Sequence, residues 1–197
     1  MMIVKKMTVS ICKRNEITNF VESNHYSGSI NGVISDYCFK LEYENLIIGA
    51  AIFGRMAMAN QWKKFSENAE EVIELRRLCC IDETPKNTES YFIGKTLRWL
   101  EKNTDLKVVV SYADAEYNHQ GTIYKASNFE YQGFKKGAKV ISWNGKKFHD
   151  KAIRTKYKGE LKPFAVRLKK ALETGEATFG QTKGKHCYIY NLRAIKR

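Results

Sequence analysis

Proline and long apolar runs are both scarce in this chain. Only two prolines, Pro85 and Pro163, occur in 197 residues, which argues against extended disordered linkers. No apolar segment approaches the ~20 residues needed to cross a bilayer. The opening Met1-Met2-Ile3-Val4-Lys5-Lys6 has no signal-type apolar core or cleavage site, which predicts a cytoplasmic protein. The five cysteines, Cys12, Cys38, Cys79, Cys80 and Cys187, are odd in number and show no C-x-x-C spacing. That argues against a disulfide framework and against structural zinc, and Cys79-Cys80 read as small hydrophobes in a strand. Acidic residues are what the last third lacks. Residues 131–197 hold 18 Lys and Arg against 4 Asp and Glu, a net +14, whereas residues 1–130 hold 16 against 17, a net −1. Phosphate backbones reward such clustering. A plain solvated surface is the alternative, and a membrane surface fits less well without a basic amphipathic helix carrying bulky apolar anchors.

What is present suits a folded domain. Hydrophobic residues make up 43% and aromatics 12%, enough for one sizeable core. The chain is organised around residues 71–131. Val72 to Ile81 is apolar and β-rich, as a central strand should be. Asp82 to Asn87 supplies turn chemistry, and Asn87 or Thr88 is a capping candidate. Ile93, Leu97 and Leu100 recur at helical spacing, predicting a helix over Thr88–Lys102. Leu106 to Val110 reads as a buried strand, Ser111-Tyr112-Ala113-Asp114 falls at its end, and a helix over Gly121–Glu130 follows. Strand–helix–strand units of this length cross over right-handed and parallel, and ligands gather beyond the carboxyl ends of such strands. Asp114 lies there.

Around this unit, Ile11–Ser23 is expected to be helical, and Tyr37–Glu44 with Leu46–Gly54 an antiparallel hairpin. Asn144-Gly145 is the strongest turn signal, between Val140–Trp143 and Lys146–His149. Pro163–Leu172 reads as a basic helix and His186–Leu192 as a last strand. The expectation is an α/β fold: a mixed sheet around a central parallel strand–helix–strand unit, in agreement with the GNAT acyltransferase architecture. Residues 1–197 would form one domain, with a catalytic unit over about 20–135. The basic portion 136–197 would complete the sheet and contact DNA.

Several ordered motifs then converge: His25-Tyr26-Ser27-Gly28, Glu74-Leu75-Arg76-Arg77-Leu78, Asn87-Thr88-Glu89-Ser90, Ser111-Tyr112-Ala113-Asp114, and Gly121-Thr122-Ile123-Tyr124 running to Asn128. Together they resemble the Mom DNA-modification family of bacteriophages, whose members look like GNAT-fold enzymes, over roughly residues 20–135. The resemblance implies conversion of adenine in double-stranded DNA to N6-carbamoylmethyladenine, which shields phage DNA from restriction. It implies functional roles for Arg77, Ser90, Asp114 and Tyr124. By fold it also implies an acyl-CoA-type donor, although the loop before Ser90 lacks the Q/R-x-x-G-x-G/A pattern that holds a coenzyme A pyrophosphate.

The residues carry chemistry of their own. Arg77 offers a fork for phosphate or carboxylate, or else an ion pair to Glu74, with Arg76 on the alternate face. Ser90 sits where helix amides favour an anion, or it only caps the helix. Asp114 suits the acceptance of a proton from a weakly nucleophilic exocyclic amine, or it merely makes an Asx-turn. Tyr124 holds the position from which GNAT enzymes protonate a leaving thiolate, or it is a packed helix tyrosine. His25 and Tyr26 could close the site, and His25 could also serve a metal. The four histidines form no ligand-spaced cluster, so no residue is assigned to a metal and metal dependence stays open.

Reaching N6 requires a flipped or single-stranded base, for which Tyr26, Tyr112, Phe129 and Tyr131 are candidate walls and Ser111 and Asn128 candidate contacts. Lys146, Lys147, Lys169 and Lys170 are assigned to the DNA backbone. Two rival functions remain at this point: N-acylation of a protein, RNA or small amine, and DNA binding without catalysis.

Overall fold

The computed structural model describes residues 3–58 and 60–192, and these described residues form twelve strands and four α-helices. The first five strands are β1 (Thr8–Cys12), β2 (Tyr37–Tyr43), β3 (Leu46–Gly54), β4 (Val72–Cys80) and β5 (Val108–Asp114). Then come β6 (Glu130–Lys135), β7 (Lys139–Trp143), β8 (Lys146–His149), β9 (Lys156–Tyr157), β10 (Glu160–Leu161), β11 (Thr178–Gln181) and β12 (Lys185–Asn191). The helices are α1 (Arg14–Asn24), α2 (Thr88–Asn103), α3 (Thr122–Ala126) and α4 (Pro163–Glu173). Two compact units result: residues 3–113, 121–133 and 187–192 in one, and 114–120 with 134–186 in the other.

The larger unit is built on a seven-stranded sheet in the order β1-β2-β3-β4-β5-β12-β6. Its strands alternate between two cores, as the pleat requires. Ala51, Phe53, Ile73 and Leu75 pack with Phe92, Ile93, Leu97 and Leu100 of α2. Ala50, Ile52 and Cys79 face the other way, onto Ile17 and Val21 of α1. β1 to β4 are antiparallel neighbours, while β4 and β5 run parallel across the α2 connection. The mixed sheet with its central parallel unit is therefore as expected from sequence.

Three local expectations fail. Ile11 and Cys12 are not helical but close β1, where Thr-Val-Ser-Ile-Cys alternates and pairs with β2; the helix begins at Arg14. The helix expected over Gly121–Glu130 is only Thr122–Ala126, because Asn128 turns left-handed (φ 61°) and Phe129 N–H closes back on the Tyr124 carbonyl at 2.9 Å. Nor are Arg76 and Arg77 on alternate faces. Ile52 pairs with Arg77 and Phe53 with Leu75, so Arg76 is the extra residue of a β-bulge. The bulge lets both arginines leave the α2 core.

In the smaller unit a three-stranded antiparallel sheet, β11-β7-β8, is covered by α4 through Ile141, Leu168, Ala171 and Ala177. The Asn144-Gly145 turn joins β7 to β8 with positive φ at both residues (48° and 70°), the type I′ geometry that this dipeptide favours. Strand β11 carried no clear signal in the sequence. All four of its residues are exposed, so no apolar alternation marks it.

Candidate active site

The parallel ladder between β4 and β5 is short. Pairing runs from Val72–Val108 to Leu75–Ser111, and among the described residues no pair joins the strands further on. Yet β4 continues to Cys80 and β5 to Asp114. Strands that stop pairing at their carboxyl ends leave backbone groups and side chains facing an opening, the usual ligand position in parallel α/β sheets. The bulge at Arg76 lies on the rim of this opening.

On the α1 side, Arg76 rather than Arg77 reaches Glu74, Nη1 to Oε2 at 3.5 Å, and Arg76 also donates to the Arg55 carbonyl at 3.1 Å. Arg77 donates to the Arg76 carbonyl at 2.7 Å and approaches the Ser29 carbonyl at 3.5 Å, while its Nε is buried without a partner. Burial draws its guanidinium below the ordinary value; neighbouring Tyr26 and Glu74 work against that shift and Arg76 adds to it. Tyr26 is exposed and packs at 4.1 Å on the ring of His25, which is itself buried and bonded through Nδ1 to Ser27 Oγ at 2.8 Å. Tyr112 lies on this side too, its hydroxyl accepting from Gln61 Nε2 at 2.6 Å. Burial, then Cys187 and Glu74, push that phenol up.

On the α2 side stand Ser111 and Tyr124. Ser111 is wholly buried, and its hydroxyl has no hydrogen-bond partner of good geometry. It approaches the Tyr124 phenol closely enough to oppose the upward shift that burial imposes there. Tyr124 packs between Phe129 (5.5 Å) and Tyr188 (5.4 Å). Its helix starts at Gly121, whose φ of 71° suits glycine and whose missing Cβ would collide with the Tyr188 ring. Ser90, in the first turn of α2, donates its hydroxyl to the Asn87 carbonyl at 3.0 Å. Asn128 is exposed and serves as the left-handed stop of α3. Of the candidate stacking walls, Phe129 is buried, whereas Tyr131 is half exposed.

Asp114 belongs to the smaller unit. Its Oδ1 accepts from Glu116 N–H at 3.0 Å, the Asx-turn anticipated as one reading, and its Oδ2 lies 3.0 Å from Lys185 Nζ. Lys147 pairs with Glu116 at 2.6 Å. Lys146, Lys169 and Lys170 are exposed.

Sequence reasoning missed Lys185, Tyr188 and Gln61. Each meets its partner only through the fold: Lys185 and Tyr188 because β12 inserts between β5 and β6, and Gln61 because its turn after β3 reaches Tyr112, 51 residues on. The segment 82–90 does not fit a coenzyme A pyrophosphate: it contains no glycine for close backbone approach, and Asp82, Glu83 and Glu89 outnumber Lys86. Arg76 Nε, Arg77 Nε and Ser111 Oγ are buried without a hydrogen-bond partner, the two guanidinium groups on the α1 side of the sheet and the hydroxyl on the α2 side. Among the described residues no group of three His, Cys, Asp or Glu could hold a metal ion, and no helix is long and apolar enough to cross a membrane.

This architecture is that of the GNAT-like acetyltransferases. Similar solved structures include a Bacillus subtilis acetyltransferase in complex with CoA, at TM-score 0.55 and 10% identity over 95% of this chain and 100% of that one. Spermidine/spermine N-acetyltransferase from Vibrio cholerae, in complex with manganese ions, matches at 0.53 and 9% over 96% and 94%. The ribosomal-protein-S18-alanine N-acetyltransferase of Escherichia coli matches at 0.53 and 9% over 97% of each chain. No curated protein matches the sequence. The Mom protein family matches residues 6–197, and the chain belongs to that family.

Proposed function

We propose that this protein is a transferase that converts adenine in DNA to N6-carbamoylmethyladenine and thereby protects phage DNA from host restriction. The observation that carries the reading is family membership across residues 6–197. The four positions first matched to that family, Arg77, Ser90, Asp114 and Tyr124, support it further. The N6 lone pair is delocalised into the ring, so the reaction needs a group to take its proton as the new bond forms; Asp114 has that role, its carboxylate positioned by Lys185. Tyr124 supplies a proton to the departing group. Burial raises its pKa, so it stays a neutral phenol at physiological pH. Arg77 holds a carboxylate, phosphate or carbonyl of the donor. A glycyl amide and a carbamoylmethyl amine are isomers, so acyl transfer followed by rearrangement and direct alkyl transfer both balance. Because the 82–90 segment does not fit a pyrophosphate, no step is assigned to coenzyme A.

A second reading, N-acylation of another amine, is favoured by the fold shared with spermidine and ribosomal-protein N-acetyltransferases. Mass spectrometry of nucleosides from DNA of cells expressing the protein tests both. A deoxyadenosine heavier by the carbamoylmethyl group is the expected result. Unmodified DNA beside an acylated protein, RNA or polyamine would replace the first reading by the second.

A further inference from the structure

Phe179 is an aromatic ring in an unusual place. It sits in β11, an edge strand whose four residues are all exposed, and is itself 64% exposed. Its direct partner across the antiparallel ladder is Ile141, so the two side chains share a face. Ile141 is wholly buried beneath α4, and Phe179 lies beyond the helix's cover. What flanks it is a groove of ≈ 680 Å³ lined by Phe179, Gln181 and Lys139 on the sheet and by Asp150, Ile153 and Arg154 on the turn that follows β8. Arg154 Nη2 neutralises Asp150 at 2.9 Å, so the groove presents no isolated carboxylate. Gln181 Nε2 donates to the Gly137 carbonyl at 3.1 Å, which fixes the amide and leaves its Oε1 as an acceptor.

We propose that this groove binds one unpaired nucleobase of a DNA strand together with its phosphate. The base would stack on Phe179, its polar edge would meet Gln181, and its phosphate would meet Lys139. The occupant follows from charge as well as shape. The smaller unit holds 15 Lys and Arg against 6 Asp and Glu, a net +9, which attracts a polyanion. The groove has the size of a small-molecule site, and an apolar floor with a cationic rim fits a stacked nucleotide better than a purely apolar ligand. Single-stranded DNA is held in this way elsewhere, by an aromatic platform inside a basic groove. The inference rests on the DNA reading above and extends it to the displaced or flanking strand.

The test is binding of the intact protein to a labelled single-stranded DNA oligonucleotide and to its duplex, without any catalytic readout. Phe179→Ala should weaken single-strand binding by about tenfold, leave duplex binding and its salt slope unchanged, and melt like wild type because the ring is exposed. Phe179→Tyr should restore binding, since it keeps the stacking face. Equal single-strand affinity in wild type and Phe179→Ala would overturn the proposal, as would equal losses on single strand and duplex. A Phe179-dependent preference for RNA of the same sequence, or tenfold weaker binding of a poly-glutamate peptide to Phe179→Ala, would assign the groove to another polymer. Nucleoside mass spectrometry fails separately: unmodified DNA with Phe179-dependent strand binding would sink the function but not the groove.

Discussion

Lys185 Nζ lies 3.0 Å from Asp114 Oδ2, so the carboxylate that ends β5 is held by the first residue of β12. An ion pair of this kind admits two roles for Asp114. It could be the base, or it could only tie β12 in place. Two variants separate them. Asp114→Asn should lower DNA modification by about two to four decades with little change in thermal stability. Lys185→Met removes the same pair but keeps the carboxylate, and should cost far less, about tenfold at most, as an ion pair with a half-exposed lysine contributes little to stability. Equal loss of modification in the two variants would show Asp114 to be structural.

Tyr124 and Gly121 make a second pair of predictions. Tyr124→Phe keeps the packing against Phe129 and Tyr188 and removes only the hydroxyl, so modification should fall by about two decades or more while the melting temperature barely moves. Gly121→Ala should do the opposite first. It forces a Cβ into a positive φ and against the Tyr188 ring, costing about 1–3 kcal/mol in a urea titration. Activity should fall with it because α3 is displaced. A Gly121→Ala protein as stable as wild type would mean that Tyr188 can move freely, and the rigid positioning argued for Tyr124 would not hold.

Alkaline pH should destabilise the protein in a defined window. Burial is the main cause that pushes the thiols of Cys12, Cys79 and Cys80 from an ordinary value near 9 up to about 12. Raised folded-state values mean that the folded chain keeps these protons when the unfolded chain has released them. The stabilising contribution is therefore complete below pH 9 and is lost as pH rises from there towards about 12. The urea midpoint should stay flat up to about pH 9 and then fall, and replacing the three cysteines by alanine should reduce that fall. At neutral pH the buried Cys79 thiol should resist alkylation until the protein is unfolded, and more strongly than the partly exposed Cys12 and Cys80. Rapid labelling of Cys79 in the native protein would contradict its burial.

Why some of this could be read from sequence and some could not follows from range. The Leu46–Gly54 strand, the Thr88 helix and the Asn144-Gly145 turn are set by periodicity or local turn chemistry, and each stands where the pattern puts it. The bulge at Arg76 leaves no local trace: it emerges only when Ile52 meets Arg77 and Phe53 meets Leu75. Alternation alone therefore puts the two arginines on opposite faces and pairs the wrong one with Glu74. The short α3 escapes prediction for a different reason, since Asn128 stopping a helix is a weak signal beside the apolar Ile123 and Phe129. Lys185 and Tyr188 are out of reach because they sit about 70 residues beyond Asp114 and 65 beyond Tyr124 in the chain.

The basic lysines give the last prediction, and the structure sharpens it. Lys146, Lys169 and Lys170 are exposed, on β8 and on the outer side of α4, whereas Lys147 already spends its charge on Glu116 at 2.6 Å. Lys147 is also held in its protonated form by that carboxylate, its pKa raised by the hydrogen bond to Glu116. To grip a phosphate it must first leave Glu116, so its contribution to DNA affinity should be the smallest of the four. Phosphate contacts position a protein without reading bases, so replacing Lys146, Lys169 and Lys170 by glutamine should weaken binding to matched and scrambled duplexes alike. The salt dependence of affinity should flatten by about 0.9 for each phosphate that is no longer neutralised. Lys147→Gln alone should change the slope little, and Glu116→Gln, which releases Lys147, should steepen it. Turnover at saturating DNA should hold in all these variants, since none removes a group assigned to the chemistry. Binding isotherms from low to moderate salt for the triple variant, Lys147→Gln and Glu116→Gln decide the matter. A slope unchanged in the triple variant would leave these lysines a solvated surface, and a loss confined to one DNA sequence would make them readers of bases.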